Sequence, residues 1–434
     1  MKVAFATLGC RVNVYESEAM TEKFIKEGYE TATFEAAADV YVINTCTVTN
    51  MGDKKSRQMI SRARRKNPEA IIAVVGCYSQ IASEEISKIE GVDVVLGTKN
   101  KGDIVYYVNR ARAEKKQFVE VNDVLKNKKF EELKIEEYQD KTRAFLKIQD
   151  GCNQFCSYCL IPFARGAVCS KNPDLILEEV RQLASNGFKE IILSGIHIAS
   201  YGVDLDNDWS LVKVLEEINK IEGIERIRIG SIDPTFFTDG VIEKITSLEK
   251  LCPHFHLSLQ SGSNATLKRM NRHYNAEDYK HVVNNLRKYI ENVSITTDVI
   301  VGFPGESEKE FEETYKFLQD IKLSKIHVFK YSPRSGTKAA KMMLQVDGNI
   351  KEQRSENLIE LNLNLEKDFM EKFKGKSMKV LFEEEMKNKK NHYIGYTPNY
   401  MKVIVKSAEK LDGKILEVKL LEVEKENMVG MLEK

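Results

Sequence analysis

No apolar run in this 434-residue chain approaches the roughly 18 consecutive residues needed to cross a bilayer. The start Met1-Lys2-Val3-Ala4-Phe5 also lacks the layout of a secretory signal. Together these absences lead us to expect a cytoplasmic protein. Net charge is nearly absent too: 66 Lys and Arg against 65 Asp and Glu leave +1. Bulk charge therefore does not draw the chain to a polyanion, and any nucleic acid must be held by local patches. A disulfide framework is not expected in a cytoplasmic chain, so its eight cysteines point to metal or redox chemistry. At 42% apolar and 30% charged residues the composition excludes wholesale disorder, and the length accommodates two or three domains.

Three of the cysteines fall in one short segment, Gly151-Cys152-Asn153-Gln154-Phe155-Cys156-Ser157-Tyr158-Cys159. Thiolates are the usual ligands of iron–sulfur clusters, and three of them on a four-iron cluster leave one iron open. An open position is where a small molecule binds and reacts. The segment follows a strand-like run, Ala144 to Gln149, so it sits at the ligand-binding edge expected of an α/β sheet. Zinc sites favour two-residue spacings in both halves, which this segment lacks. Cys-x-x-x-Cys-x-x-Cys with Tyr158 before the last cysteine resembles the radical S-adenosylmethionine (SAM) enzymes. The resemblance implies a [4Fe-4S] cluster on Cys152, Cys156 and Cys159 that chelates SAM and cleaves it to a 5′-deoxyadenosyl radical.

Ahead of this motif, apolar runs alternate with helical ones, implying a parallel sheet buried on both faces. Val3 to Leu8 ends at Gly9-Cys10, Val40 to Asn44 at Thr45-Cys46, and Ile71 to Val75 at Gly76-Cys77; Val92 to Leu96 is a fourth strand. Parallel strands would bring Cys10, Cys46 and Cys77 to one edge. A single such cysteine reads as a small core residue. Three in the same strand-end position favour a second three-thiolate cluster. Lys54 to Lys66 reads as a basic helix with seven cations and no acid, either a solvated face or a phosphate contact. Residues 112–140, with one strand-like piece at Phe118 to Val121, read as an interdomain connection.

From Thr142 to about Ser335 strands and helices alternate again, with later strands at Glu190–Ser194, Ile224–Gly230, His254–Gln260, Val293–Val301 and Lys325–Tyr331. The residues alone imply a parallel α/β sheet or barrel. The resemblance implies a partial (β/α)6 barrel in which Tyr158, Gly195, Ser258, Gln260, Asp298 and Gly302 line the SAM site. His197, His254 and His256 read as hydrogen-bonded barrel residues, and no catalytic base is assigned. A helix over 349–373 leads into a small all-β module with strands at Ser377–Glu383, Tyr393–Thr397, Met401–Lys406 and Ile415–Val423. From Lys372 onward it carries fourteen lysines and ten acids, and Tyr393, Tyr396 and Tyr400 are candidates to stack on RNA.

The order of dispersed cysteines, SAM triad and basic β module resembles the radical SAM methylthiotransferases across nearly the whole chain. The start Thr7-Leu8-Gly9-Cys10-Arg11-Val12-Asn13 is most similar to the branch acting on tRNA threonylcarbamoyladenosine. That resemblance implies an N-terminal cluster-binding domain (1–112), a linker (113–137), a radical SAM core (138–369) and a TRAM domain (370–434). It also implies two [4Fe-4S] clusters, SAM, methylthio insertion at adenine C2 beside the anticodon, and a tRNA anticodon stem-loop as partner. A flavodoxin- or ferredoxin-type electron donor, a monomer and no membrane complete the expectation. The alternatives are methylthiolation of isopentenyladenosine or of a ribosomal-protein aspartate, and a non-catalytic RNA-binding iron–sulfur protein. The chain departs from the family at Cys169-Ser170-Lys171, where arginines commonly flank the serine; Cys169 reads as a packing residue, and Cys252 is assigned no role.

Overall fold

The computed structural model describes residues 1–47, 50–127, 129–135 and 142–433, with only the backbone described at residues 50 and 51. Six strands, β1 (Lys2–Thr7), β2 (Glu30–Ala32), β3 (Val40–Thr45), β4 (Ile71–Gly76), β5 (Val94–Leu96) and β6 (Phe118–Glu120), form one sheet in the order β2-β1-β3-β4-β5-β6. Every pairing is parallel. The helices α1 (Arg11–Lys26), α2 (Asn50–Lys66), α3 (Cys77–Ile81), α4 (Ser83–Ser87) and α5 (Ile104–Glu114) connect these strands. Side chains alternate across the strands, so Val40 and Val42 join one core with Phe24 while Tyr41 and Ile43 join the other with Ile60. The piece at 118–121, placed in the connection on sequence grounds, is instead the edge strand β6: Val94, Val95 and Leu96 pair with Phe118, Val119 and Glu120. Its strand character is legible in the sequence, but a piece this short and half solvated carries no signal for the sheet it joins.

The second unit runs β7 (Arg143–Asp150), α6 (Ile161–Arg165), β8 (Cys169–Ser170), α7 (Pro173–Ser185), β9 (Glu190–Gly195), α8 (Leu211–Asn219), β10 (Arg226–Ile229), β11 (Ser231–Ile232), α9 (Asp239–Thr246), β12 (His254–Leu257), α10 (Asn264–Arg269), α11 (Ala276–Tyr289), β13 (Ser294–Val301), α12 (Glu308–Ile321), β14 (Lys325–Lys330) and α13 (Gly348–Glu371). The strand expected over 224–230 breaks at Gly230; β10 pairs with β9 while β11 pairs with β12. That break bends the wall into two sheets, β10-β9-β7-β8 and β11-β12-β13-β14, which together make an incomplete barrel of seven parallel strands, β10 and β11 being the two halves of one expected strand, plus the antiparallel edge β8. Outward residues such as Leu146, Ile148, Leu193 and Ile227 pack under the helices, while His256, Thr296 and Asp298 face the interior.

The last unit is a closed barrel, β15 (Ser377–Glu385), β16 (His392–Tyr396), β17 (Lys402–Lys406), β18 (Ile415–Glu424) and β19 (Asn427–Leu432), in the order β15-β16-β17-β19-β18. The fifth strand was not expected because Gly430 weakens its signal. A Cβ at Gly430 would lie 2.4 Å from Val418 Cγ1, so glycine is what lets β19 close the barrel. The unit is clamped to the incomplete barrel by arginines. Arg226 donates to the carbonyls of Tyr396 and Lys379, each at 2.9 Å, and Arg228 to that of Pro398 at 3.1 Å. Glu190 sits between them, 3.0 Å from Arg228 Nε.

Burial alone would raise the Glu190 carboxyl, but Arg228, Arg143 and Arg226 outweigh it and hold it below the usual carboxylate range. A depressed carboxyl contributes stability above its unfolded pKa and loses it as pH falls towards the folded value. We therefore expect Glu190→Gln to destabilise the protein by about 3 kcal/mol at pH 7, because it strands buried arginines. The gap to the unaltered protein should shrink progressively below about pH 4, read by chemical denaturation across pH.

Candidate active site

Cys10, Cys46 and Cys77 follow β1, β3 and β4, which are neighbours in the sheet and so leave it roughly 4.8 Å apart. The turns carrying them are held by side chains of α1. Asn13 donates to the Leu8 carbonyl at 2.7 Å and the Thr45 carbonyl at 2.9 Å, tying the first cysteine loop to the second. Thr45 Oγ1 donates to the Val75 carbonyl at 2.6 Å and ties the second to the third. Gly9 (φ +100°) lies so close to Cys46 that a Cβ there would stand 2.7 Å from its Sγ. Cys46 and Cys77 are buried, and Cys10, which is exposed, lines a cavity.

The second triad sits on the loop after β7. Cys152 N donates to the Gly166 carbonyl at 3.0 Å, and Asn271 Nδ2 donates to the carbonyls of Gln154 and Phe155, fixing a loop whose Phe155 has φ +47°. Arg272 Nη1 donates to Cys156 Sγ at 3.3 Å and the Ile161 amide to Cys159 Sγ at 3.5 Å. Burial pushes the Cys152 thiol up to about 11 and, with the neighbouring Cys156 and Cys152 sulfurs, the Cys159 thiol up to about 12. Only positive charge in their midst would keep such a group as thiolates, which is what a bound iron cluster supplies. Among the described residues no three His, Cys, Asp or Glu side chains are placed to hold a single metal ion.

Between the triads lies a fully buried charge network. Glu16 on α1 faces Lys101 and Lys147, each at 2.8 Å, and also Arg165. Asp150, two residues before Cys152, faces Lys147 at 2.7 Å, Arg165 at 3.4 Å and Lys99 at 4.0 Å. Burial would raise both carboxyls, yet the surrounding cations hold Asp150 and Glu16 well below the usual range. Arg165 Nε donates to Cys77 Sγ at 3.2 Å, and its Nη2 to Asn13 Oδ1 at 2.7 Å. Four cations thus meet Glu16, Asp150 and the buried Glu131, and two of those cations touch a sulfur, Arg165 that of Cys77 and Lys99 that of Cys169. The surplus suits an anionic thiolate cluster and fits the three-cysteine donor set. Sequence alone assigns no role to Arg165, Glu16, Lys101 or Asp150; the available signal was Lys147 and Asp150 on the strand that carries Ala144, Phe145, Leu146 and Ile148.

The cavity has a volume of about 930 Å³ and is lined by all three units. Cys10 and Arg11 reach it from the first, Gly195, His256 and Asp298 from the barrel wall, and Tyr396 and Tyr400 from the β module. Of the expected SAM-lining residues, Gly195 and Asp298 line this cavity. Ser258 lies at its edge, 3.1 Å from the lining Ser231 hydroxyl. Gln260 (φ +70°) bonds to the Asp298 carbonyl at 2.9 Å. Tyr158 packs edge-on against Phe303, 6.2 Å away, beside Gly302 (φ +68°), whose amide donates to Glu306. His197 bonds to Ser200 at 2.7 Å and His256 to Thr296 at 2.9 Å, as expected of barrel residues. Cys169 is buried against Lys99 Nζ at 3.0 Å and Cys252 is buried near Arg228.

The expectation that the β-module tyrosines are free to stack on RNA needs correction. Tyr393 is buried in the β-barrel core, and Tyr396 and Tyr400 stack on each other at 5.0 Å under Arg143 and Arg228. These rings bind their own chain's arginines because cation–π contact at a desolvated interface outcompetes exposure. The basic helix α2 is partly neutralised: Arg57 pairs with Glu85 at 3.2 Å, Arg64 with Asp93 at 3.4 Å, and Arg62 with Glu35. Lys54, Lys55 and Arg65 remain exposed.

Comparison with known proteins decides the family. Residues 2–97 match the uncharacterized protein family UPF0004 and residues 146–318 the radical SAM superfamily. The chain is 47% identical to a threonylcarbamoyladenosine tRNA methylthiotransferase, MtaB, of Bacillus subtilis, over 96% of this chain and 93% of that one. The chain belongs to the radical SAM methylthiotransferases. A second MtaB, from Aquifex aeolicus, is 44% identical over 91% of this chain and 96% of its own. A tRNA-2-methylthio-N(6)-dimethylallyladenosine synthase of Clostridium tetani is 39% identical over 95% and 92%. Among solved structures, a radical SAM methyltransferase, TsrM, from Kitasatospora setae superposes with a TM-score of 0.59 at 12% identity, covering 78% of this chain and 76% of that one. Membership brings an iron–sulfur cluster and SAM to this methylthiotransferase. No helix among its described residues is long and apolar enough to cross a membrane.

The contact between Gly9 and Cys46 is testable. Gly9→Ala must place a Cβ against the Cys46 sulfur and also adopt a left-handed backbone, whereas Gly28→Ala (φ +80°) adopts a left-handed backbone with nothing within 4 Å. Both should lose about 1–2 kcal/mol from backbone strain. Only Gly9→Ala should lower the iron-to-protein ratio after reconstitution.

Proposed function

We propose that this chain inserts a methylthio group at C2 of threonylcarbamoyl-modified adenosine beside the tRNA anticodon. The observation that supports this most is one cavity reached both by Cys10 and by the strand ends of the SAM barrel. In this reading Cys152, Cys156 and Cys159 hold the SAM-binding [4Fe-4S] cluster, and Cys10, Cys46 and Cys77 hold a second one as the site of the inserted sulfur. When bound, cluster and SAM supply a radical that removes an aromatic hydrogen no general base can take. The chain's own contribution is placement. Gly195, Ser258, Gln260, Asp298, Gly302 and Tyr158 hold SAM, Arg272 and Arg165 donate hydrogen bonds to cysteine sulfurs, and the cavity walls exclude water. The adenine must leave the anticodon-loop stack to enter the cavity. An electron donor of flavodoxin or ferredoxin type, a cytoplasmic setting and action as a monomer complete the proposal.

Reconstituted protein should hold about eight irons, and a Cys10→Ala/Cys46→Ala/Cys77→Ala variant about four while still making 5′-deoxyadenosine. Loss of all iron in that variant would refute the two-site partition. The nucleoside profile of tRNA from cells lacking the protein should show threonylcarbamoyladenosine without its methylthio derivative.

Since the tyrosines of the β module are committed to arginines, its lysines are left to contact phosphate. Lys387, Lys389 and Lys390 are exposed in the turn between β15 and β16. Changing all three to Gln should make the salt dependence of tRNA binding shallower by up to about three units of slope. An unchanged slope would remove this turn from the RNA interface.

A further inference from the structure

The reacting C2 and the C6 that bears the modified N6 belong to the same six-membered ring of adenine, so whatever hangs on N6 must enter the cavity with C2. A threonylcarbamoyl group ends in a carboxylate; a dimethylallyl group is wholly apolar. A site committed to the first needs a cation that its own chain has not neutralised, placed next to the reacting centre.

Arg11 meets that description. It follows Cys10 directly and lines the cavity with it. Its Nη2 donates to the Tyr400 hydroxyl at 3.3 Å, and its guanidinium lies 5.8 Å from the Phe145 ring centroid and 6.0 Å from that of Tyr400. Among the described residues no carboxylate lies within ion-pair distance of it. Of the other cations lining the cavity, Lys325 faces Glu366 at 2.7 Å and Glu426 at 3.5 Å, while Lys402 and Lys425 belong to the β module and neither adjoins a cluster cysteine. Across the cavity stand His327 and His256, their rings 5.7 Å apart. The nearby anion, Asp298, is 3.3 Å from His256 Nε2, on the strand-end side. Burial and the neighbouring His256 lower the His327 pKa, so at neutral pH it offers a neutral N–H and does not compete for the anion as a second charge.

We propose that Arg11 is the specificity-determining residue that recognises the N6 carboxylate of the substrate, with the Tyr400 hydroxyl and His327 completing the subsite. The Phe145 and Tyr400 rings lie within cation–π distance of the guanidinium, and its N–H groups not used on the Tyr400 hydroxyl can donate to a carboxylate. An apolar N6 group would leave that guanidinium desolvated without a partner, so the same residue selects for one modification and against the other. This inference rests on the substrate reading above, and methylthiolation of threonylcarbamoyl-tRNA by the unaltered protein is its control: failure there defeats the substrate reading rather than the role of Arg11.

The test compares two substrates on two proteins. Anticodon stem-loops carrying threonylcarbamoyladenosine, with its carboxylate free or as the methyl ester, are given to the unaltered enzyme and to Arg11→Gln. Esterification should raise KM about 10- to 100-fold for the unaltered enzyme, the factor of one charge-assisted hydrogen bond, and change it little for Arg11→Gln. Arg11→Lys should recover part of the discrimination. Equal sensitivity to esterification in both proteins overturns the assignment. An equal loss of binding to stem-loops with unmodified adenosine makes Arg11 a phosphate contact and also overturns it. So does a fall in bound iron in Arg11→Gln, which would make the residue a support of the Cys10 turn.

Discussion

A buried cluster of opposite charges holds the architecture together. Glu16 belongs to the first helix, Lys147 and Asp150 to the first barrel strand, Arg165 to the helix beyond the second cysteine triad, and Lys101 to the end of the N-terminal sheet. None of these groups tolerates burial alone. Each is satisfied only when the sheet is docked on the barrel in one position, and in that position Arg165 bonds to Cys77 while Asp150 starts the loop to Cys152. Docking specificity and the relative placement of the two sets of thiols are therefore the same physical event.

The β module is attached by a second charged interface of similar logic. Arg226 and Arg228 reach out of the barrel to its carbonyls, and Arg228 is at once paired with Glu190 and covered by Tyr400. Tyr400 then touches Arg11, so the module helps to shape the wall of the central cavity. The module contributes to the site as well as offering lysines to a polyanion, and deleting it would open the cavity floor rather than simply remove an accessory.

Nearly all the strands were legible because each is a run of apolar residues closed by glycine or a polar turn. The exceptions follow a common rule. β2 and β8 are two or three residues long, β6 is short and half solvated and reads locally as part of the connection, β19 contains Gly430, and the strand expected over 224–230 is divided where Gly230 bends the wall. For β2, β6, β8 and β19 local composition understates a strand that long-range pairing stabilises, and at 224–230 it does not show the bend. The tyrosines of the β module misled for the opposite reason: an aromatic residue in a polar strand has the same pattern whether it faces RNA or a buried arginine.

What the chain dictates locally is considerable. Cysteine spacing at 152, 156 and 159, the strand-end positions of Cys10, Cys46 and Cys77, and the division into sheet, barrel and β module are all carried by short-range patterns of residue type. What no local pattern holds is that β1, β3 and β4 are neighbours, that Arg165 spans to Cys77, or that Arg11 meets Tyr400 nearly four hundred residues later. Those pairings are chosen by the requirement that every buried charge find its partner, a condition the chain can satisfy only once it has folded as a whole.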